Sequence, residues 1–307
     1  MVCLTTFALV YTAVVAAAAA PNIVLVVIDD MGSNDVGFRS HQIATPNIDA
    51  IAQRGCVLER YYSERVCTPA RASLLTGRHS WRFGLQNYVI ESGTQQALPL
   101  SATTLAERLA ATRGYEAHAV GKWHLGMASW QHTPTFRGFN SFVGFYNGGE
   151  DYYTHEAKAR VDDTHHVRGY DMRFDARARC GAACSRVAYE YNGTYSTHVF
   201  ARRAVDVIDA WHGLGRRRRA NGTSDAAPPL FLYLAFQGVH HPNEVPATYT
   251  APYERTIADA QRRTYAGMLA AVDEGIGNVT RALQRAGALD DTVVVVISDN
   301  GGPIAAS

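Results

Sequence analysis

"NIVLVVIDD", residues 22–30, is a continuous apolar run that closes on two carboxylates. It shows no alternation of polar and apolar residues, so it reads as a strand buried on both faces, the pattern of a parallel sheet. Three more runs rich in apolar or β-branched residues read as buried strands of the same sheet: "EAHAV" (116–120), "LFLYLAF" (230–236) and "TVVVVIS" (292–298). Helical stretches separate them, predicted over 102–111 with a stop near Gly114, over 196–211, and over 259–286 with a break near Gly275. Strand and helix in alternation define an α/β fold.

The polar residues just beyond each strand carry the chemistry. Asp29 and Asp30 come after the first, Lys122 and His124 after the second, His240 and His241 after the third, Asp299 and Asn300 after the fourth. Ligands of open parallel sheets bind beyond the carboxyl ends of the strands, so these four groups are expected to share one crevice. Asp29, Asp30, Asp299 and Asn300 offer only oxygen, which suits a hard cation such as calcium or magnesium better than zinc. Taken singly, "DD" and "DN" also serve as helix caps and turns. Lys122 and His124 are two apart, so an extended segment points both to one side.

A second stretch, "VCTPARASLLTGRH" (66–79), predicts a helix opened by Pro69 and closed by Gly77. Cys67 then sits at the helix N-terminus, where free N–H groups favour an anion. A structural thiol, a thiolate nucleophile and a chemically converted cysteine all fit that position. The phosphate loop with arginine six positions after cysteine does not, because Arg71 comes four after Cys67 and Ser73 occupies the arginine place.

The remaining features bound the setting. The net charge of +1 over 307 residues gives no global field for nucleic acid or an anionic membrane, so an anionic substrate needs a local site. Residues 3–20, "CLTTFALVYTAVVAAAAA", read as the apolar core and small-residue cleavage zone of a secretory signal over 1–20; a membrane anchor is the alternative. Sequons at Asn192, Asn221 and Asn278 agree with secretory entry. Cys180 and Cys184 are close enough to bridge within a loop, which leaves Cys56 unpaired. Residues 213–229, with Arg216 to Arg219, read as a surface loop. No internal repeat or domain boundary is visible.

The motif "CTPARASLLTGR" resembles the sulfatase signature, which begins Cys-x-Pro-x-Arg and continues to Leu-Thr-Gly. "GKWHLG" (121–126) resembles the second signature, and "IDDMG" and "SDNGG" the metal motifs. "GFYNGGEDYYTHE", "QGVHHP" and "YAGMLAAVDEGIGNVT" are similar to the arylsulfatase B branch, the N-acetylgalactosamine-4-sulfatases. The resemblance covers nearly all of 21–302.

It implies an alkaline-phosphatase-like fold, a large mostly parallel sheet flanked by helices, with 21–307 an incomplete catalytic domain. It implies that Cys67 is oxidised by the formylglycine-generating enzyme to an aldehyde whose hydrate is the nucleophile. It further implies that Asp29, Asp30, Asp299 and Asn300, with the converted Cys67, hold one calcium ion. Arg71 would fix the diol, Lys122 hold sulfate, His124 assist elimination, and His240 bind sulfate or protonate the leaving oxygen. The implied substrate is an aryl sulfate or sulfated sugar such as N-acetylgalactosamine 4-sulfate in glycosaminoglycans, and the implied location is lysosomal or extracellular.

Two departures stand out. Ala70 replaces the common Ser, although conversion needs chiefly Cys, Pro and Arg. Family members also continue beyond "DNGG" with another active-site lysine and a small C-terminal domain, so the last strand here is expected to leave an unpaired edge and the chain to be weakly stable and weakly active. Phosphate or phosphonate ester hydrolysis, and a sulfated-glycan binder without turnover, are the competing functions.

Overall fold

The computed structural model describes residues 20–160, 165–221 and 227–302. The signal reading over residues 1–20 therefore lies, Ala20 apart, outside the described residues. The strands are β1 (Asn22–Ile28), β2 (Glu116–Lys122), β3 (Ser141–Phe145), β4 (Glu156–Arg160), β5 (His166–Tyr170), β6 (Arg173–Asp175), β7 (Ser185–Val187), β8 (Leu230–Phe236) and β9 (Thr292–Ser298). The α-helices are α1 (Pro46–Arg54), α2 (Cys67–Thr76), α3 (Leu105–Arg113), α4 (Ser196–Ala220), α5 (Ala247–Thr250) and α6 (Ala260–Arg285).

Seven strands form the main sheet in the order β7-β6-β3-β2-β8-β1-β9, and β4 and β5 form a separate hairpin. The pairs β1·β8, β1·β9, β2·β8 and β2·β3 are parallel, while β3·β6 and β6·β7 are antiparallel. All four apolar runs thus lie side by side in the parallel part. The sequence reading did not find β3, whose "SFVGF" is short and interrupted by Gly144.

Alternate residues of each strand feed two apolar layers. Val24, Val26, Ile28, Leu232, Leu234 and Phe236 pack with α4 and α6 through Phe200, Ala204, Met268 and Val272. Leu25, Val27, Phe231 and Tyr233 pack on the other face with Leu75, Ala106 and Trp123. Burying a large apolar side chain contributes about 1.5–3 kcal/mol, so each central strand holds both layers in place.

Strand β2 crosses closest to β8 at Gly121, which has φ 97°; a Cβ there would lie 1.8 Å from the Ala235 carbonyl oxygen. Only glycine fits.

Three expectations need correction. The helix expected over 196–211 runs on to Ala220, so Arg216 to Arg219 are helical and not part of a loop; arginine is a good helix former, and the run continues the helix instead of breaking it. Helix α6 is continuous through Gly275, where the missing side chain lets Phe236 and Ala201 approach: a Cβ would meet them at 3.0 and 3.1 Å. Helix α3 starts at Leu105, behind a capping box between Thr104 and Glu107 that the 102–111 reading overlooked.

Cys180 and Cys184 form a disulfide, and Cys56 is free and exposed. Strand β9 pairs only with β1 and, among the described residues, its outer edge has no partner strand. Val293 is 48% exposed there.

Helix α1 has no side-chain cap of its own at Thr45. The buried Asp273 carboxylate of α6 substitutes, accepting from the Asn47 N–H at 3.1 Å and the Ile48 N–H at 2.8 Å. Asp273→Ala leaves both donors buried and unpaired, at a cost of about 1–3 kcal/mol. A lower urea midpoint with an unchanged denaturant slope is the expected result; an unchanged midpoint would contradict this role.

Candidate active site

The carboxyl ends of β1, β2, β8 and β9 deliver their polar residues to one place. Asp29 comes directly after β1 and is fully buried, and its Oδ2 accepts from Lys122 Nζ at 2.6 Å. Arg71, on α2 and also fully buried, donates from Nε (3.1 Å) and Nη2 (2.8 Å) to Asp299 Oδ2, with Asp29 Oδ1 at 3.5 Å from Nη2. Asn300 Nδ2 donates to Asp30 Oδ1 at 2.7 Å, and His240 Nε2 lies 4.0 Å from Asp30 Oδ2. The four groups expected to converge do so.

Helix α2 begins at Cys67 and closes on Gly77 in the left-handed conformation, as its sequence requires. Cys67 Sγ is 3.6 Å from Asp29 Oδ1. Burial and then Asp29 push its thiol up to about 12, against the pull of Lys122 and Arg71, so it stays protonated at neutral pH.

Lys122 and His124 both reach the site, while Trp123 between them is buried in the core beside Phe139. At His124 the chain turns, with φ 58°. Its Nε2 meets the Ile90 carbonyl at 3.0 Å; a carbonyl only accepts, so Nε2 carries the proton and Nδ1 holds a lone pair. Nδ1 is buried without a hydrogen-bond partner. Burial, then Lys122 and Arg71, hold the ring well below its ordinary range, hence neutral. In His240 the order is reversed: Nδ1 donates to the His241 carbonyl at 2.6 Å, leaving the Nε2 lone pair free, 4.0 Å from Asp30 Oδ2.

Asp29, Asp30 and Asp299 place carboxylate oxygens within 4.8 Å of one another. Burial, followed by repulsion from Asp29, raises Asp299 to about 6, while the pull of Lys122 and Arg71 outweighs desolvation at Asp29 and lowers it. Asn300 Oδ1 is buried with no partner. An oxygen-only cluster with an orphaned amide oxygen fits a hard dication, and Asp29, Asp30, Asp299 and Asn300 are the residues to hold it.

Sequence reasoning missed the supports of this site. Thr68 Oγ1 donates to the His124 carbonyl and accepts from the Ile90 N–H, tying both ends of the His124 contact to α2. Tyr152 donates to the His240 carbonyl at 2.7 Å. The loop 147–150 lies against both histidines: a Cβ on Gly148 would come within 2.5 Å of the His124 ring, and one on Gly149 within 3.3 Å of His240. "NGG" was the available signal, since paired glycines mark a close approach of backbone to side chains. Asp171 pins Asn147 through two bonds, and buried Glu150 pairs with His155 Nδ1 at 2.9 Å.

Of the sequons, Asn192 and Asn221 are exposed, whereas Asn278 is half-buried within α6 and accepts from Arg281. No helix among the described residues is long and apolar enough to cross a membrane.

The site lies at the carboxyl end of a mostly parallel sheet. The sulfatase family model matches residues 21–306, and the chain belongs to the sulfatase family. It is 38% identical to arylsulfatase J of Mus musculus, over 92% of this chain and 43% of that protein. It is 30% identical to N-acetylgalactosamine-6-sulfatase of Homo sapiens, over 92% of this chain and 50% of that protein. The crystal structure of Ps i-CgsB in complex with k-i-k-neocarrahexaose superposes with a TM-score of 0.73 at 30% identity, over 93% of this chain and 60% of that one. The chain thus spans about half the length of the curated relatives it matches.

Two buried carboxyls near the site set a pH dependence. Burial raises Glu150 from 4.5 to about 7, partly offset by His155, and raises Asp171 from 3.8 to about 6. These two carboxyls bind more protons in the folded chain than in the unfolded chain between about pH 4 and 7, so their own contribution to stability falls as pH rises through that window, while His124 and His240, held neutral, act in the opposite direction. In thermal melts in EDTA at pH 5 and pH 7.5, Glu150→Gln is expected to lose less stability, or gain more, than the wild-type chain as pH rises; equal changes would contradict the assignment.

Proposed function

We propose that this chain carries the nucleophile and most of the metal site of a sulfate ester hydrolase acting on sulfated sugars. The observation that supports it best is Cys67 at the mouth of α2, beside Asp29, Lys122 and two neutral histidines of opposite tautomer. N-acetylgalactosamine sulfates in glycosaminoglycans are the substrate class we favour, the 4-sulfate first, on the arylsulfatase B resemblance.

Oxidation of Cys67 to formylglycine by the generating enzyme supplies, once hydrated, two hydroxyls on one carbon: one to attack sulfur and one to expel sulfate. Asp29, Asp30, Asp299 and Asn300 would hold a calcium ion, which would supply charge stabilisation for the anionic ester. Lys122 contributes a fixed positive charge for the anionic substrate. Arg71, fully buried against Asp299 and Asp29, holds the first turn of α2 against the carboxylates and orients residue 67. His124 offers the buried Nδ1 lone pair as the proton acceptor for the elimination step. His240 presents Nε2 toward the crevice, where it binds sulfate or, once protonated, gives a proton to the leaving oxygen.

The exposed Asn192 and Asn221 support passage through the secretory route to a lysosomal or extracellular end, with Asn278 the least accessible acceptor. A glycan binder without turnover is kept as the second reading because an unconverted Cys67 stays a protonated thiol and is no nucleophile.

The test is mass spectrometry of the tryptic peptide Val66 to Arg71 from chain made in a secretory cell. An aldehyde at residue 67 and sulfate release from an aryl sulfate are expected, with His240→Ala lowering turnover by about 10²-fold or more. A thiol at residue 67, or glycan retention without hydrolysis, would move the assignment to the second reading.

A further inference from the structure

The site holds a second set of donors, built from residues to which the sulfatase reading gives separate roles. Cys67 Sγ, His240 and an Asp29 carboxylate oxygen all lie within 4.8 Å of one another. This set is sulfur, nitrogen and oxygen, unlike the oxygen-only set of Asp29, Asp30 and Asp299. Its spacing is close to what a borderline-soft cation requires. Zinc–sulfur and zinc–oxygen bonds of about 2.3 and 2.0 Å at a tetrahedral angle place the two donors about 3.5 Å apart. Cys67 Sγ and Asp29 Oδ1 stand 3.6 Å apart.

The histidine is prepared for the same task. Its Nδ1 proton is committed to the His241 carbonyl, which fixes the tautomer and leaves Nε2 free to ligate; a backbone carbonyl behind a ligand histidine is the usual outer support of zinc sites. Charge also balances. Asp29, Asp30 and Asp299 oppose only Arg71 and Lys122 in the buried cluster. A thiolate and a dication together bring the cluster to neutrality. Three protein donors leave a fourth position for water.

We infer that the chain with Cys67 as an unmodified thiol binds zinc(II) through Cys67 Sγ, His240 Nε2 and Asp29. The cation displaces the thiol proton to solvent, as it does whenever cysteine becomes a ligand. Because Asp29 belongs to both sets, this zinc and a hard cation at Asp29, Asp30 and Asp299 exclude each other. Loss of sulfur at residue 67, by substitution or by oxidation of the side chain, leaves two donors and ends zinc binding. The thiol and sulfur-free forms of one chain thereby select different metals.

The test uses cobalt(II) as the spectroscopic stand-in for zinc. Full chain is made in a host without converting activity, and mass spectrometry verifies the thiol at residue 67 and the Cys180–Cys184 bridge. Titration is expected to produce a thiolate-to-cobalt charge-transfer band that persists in Cys56→Ser and is absent in Cys67→Ser. His240→Ala is expected to weaken cobalt binding at least 10-fold, and millimolar calcium to raise the apparent Kd. A band that survives Cys67→Ser, one that vanishes in Cys56→Ser, unchanged affinity in His240→Ala, or no band at all would overturn the site.

Should Cys67→Ser fail to fold by circular dichroism, alkylation of the wild-type chain decides. Zinc is expected to protect the Cys67 peptide and not the Cys56 peptide, and equal labelling of Cys67 with and without zinc would overturn the site. No turnover is read in either experiment, so the result stands apart from whether the secretory chain carries the aldehyde.

Discussion

Everything at the carboxyl end of the sheet depends on two cations buried among three carboxylates. Arg71 and Lys122 have no exposed side-chain surface; Arg71 is held by Asp29 and Asp299, and Lys122 by Asp29. Removing either cation would leave an uncompensated buried charge, which costs several kcal/mol, so the groups stand or fall as a unit. The unit also joins elements far apart in sequence. Arg71 comes from α2, Lys122 from β2, Asp29 from β1 and Asp299 from the end of β9. The charge network therefore fixes the position of Cys67 relative to the sheet as firmly as the apolar layers fix the helices.

The two histidines show how one environment yields two kinds of base. Both rings are kept neutral, chiefly by burial and then by the positive charge of Lys122. A carbonyl then selects the tautomer in each case: Ile90 takes the Nε2 proton of His124, and His241 takes the Nδ1 proton of His240. The free lone pairs consequently face different parts of the crevice. Division of labour between them comes from two backbone carbonyls and no additional side chain.

The glycines of loop 147–150 and Gly121 have a related role. They allow backbone to approach where a methyl group would strike a histidine ring or a neighbouring strand. Close approach excludes water from the site and keeps the dielectric low, which strengthens each charge interaction just described.

The sequence by itself determined the four central strands, because short runs rich in apolar and β-branched residues suit a sheet covered on both faces, and it placed a polar residue pair after each. It also determined helix α2 between Pro69 and Gly77, since those two residues fit a helix start and a left-handed stop. Local pattern failed where distant packing decides. Gly275 suggests a break when read alone, yet Phe236 and Ala201 fill its place and hold α6 continuous. The arginine run resembles a solvated loop, yet helix propensity carries α4 through it. Only the tertiary structure decided which lone pair each histidine offers, that Asp273 caps a helix more than two hundred residues away, and that Cys67, His240 and Asp29 stand at ligand distance. Each of these depends on contacts between elements brought together by the sheet order, and sheet order is a matter of non-local packing that no local window of residues contains.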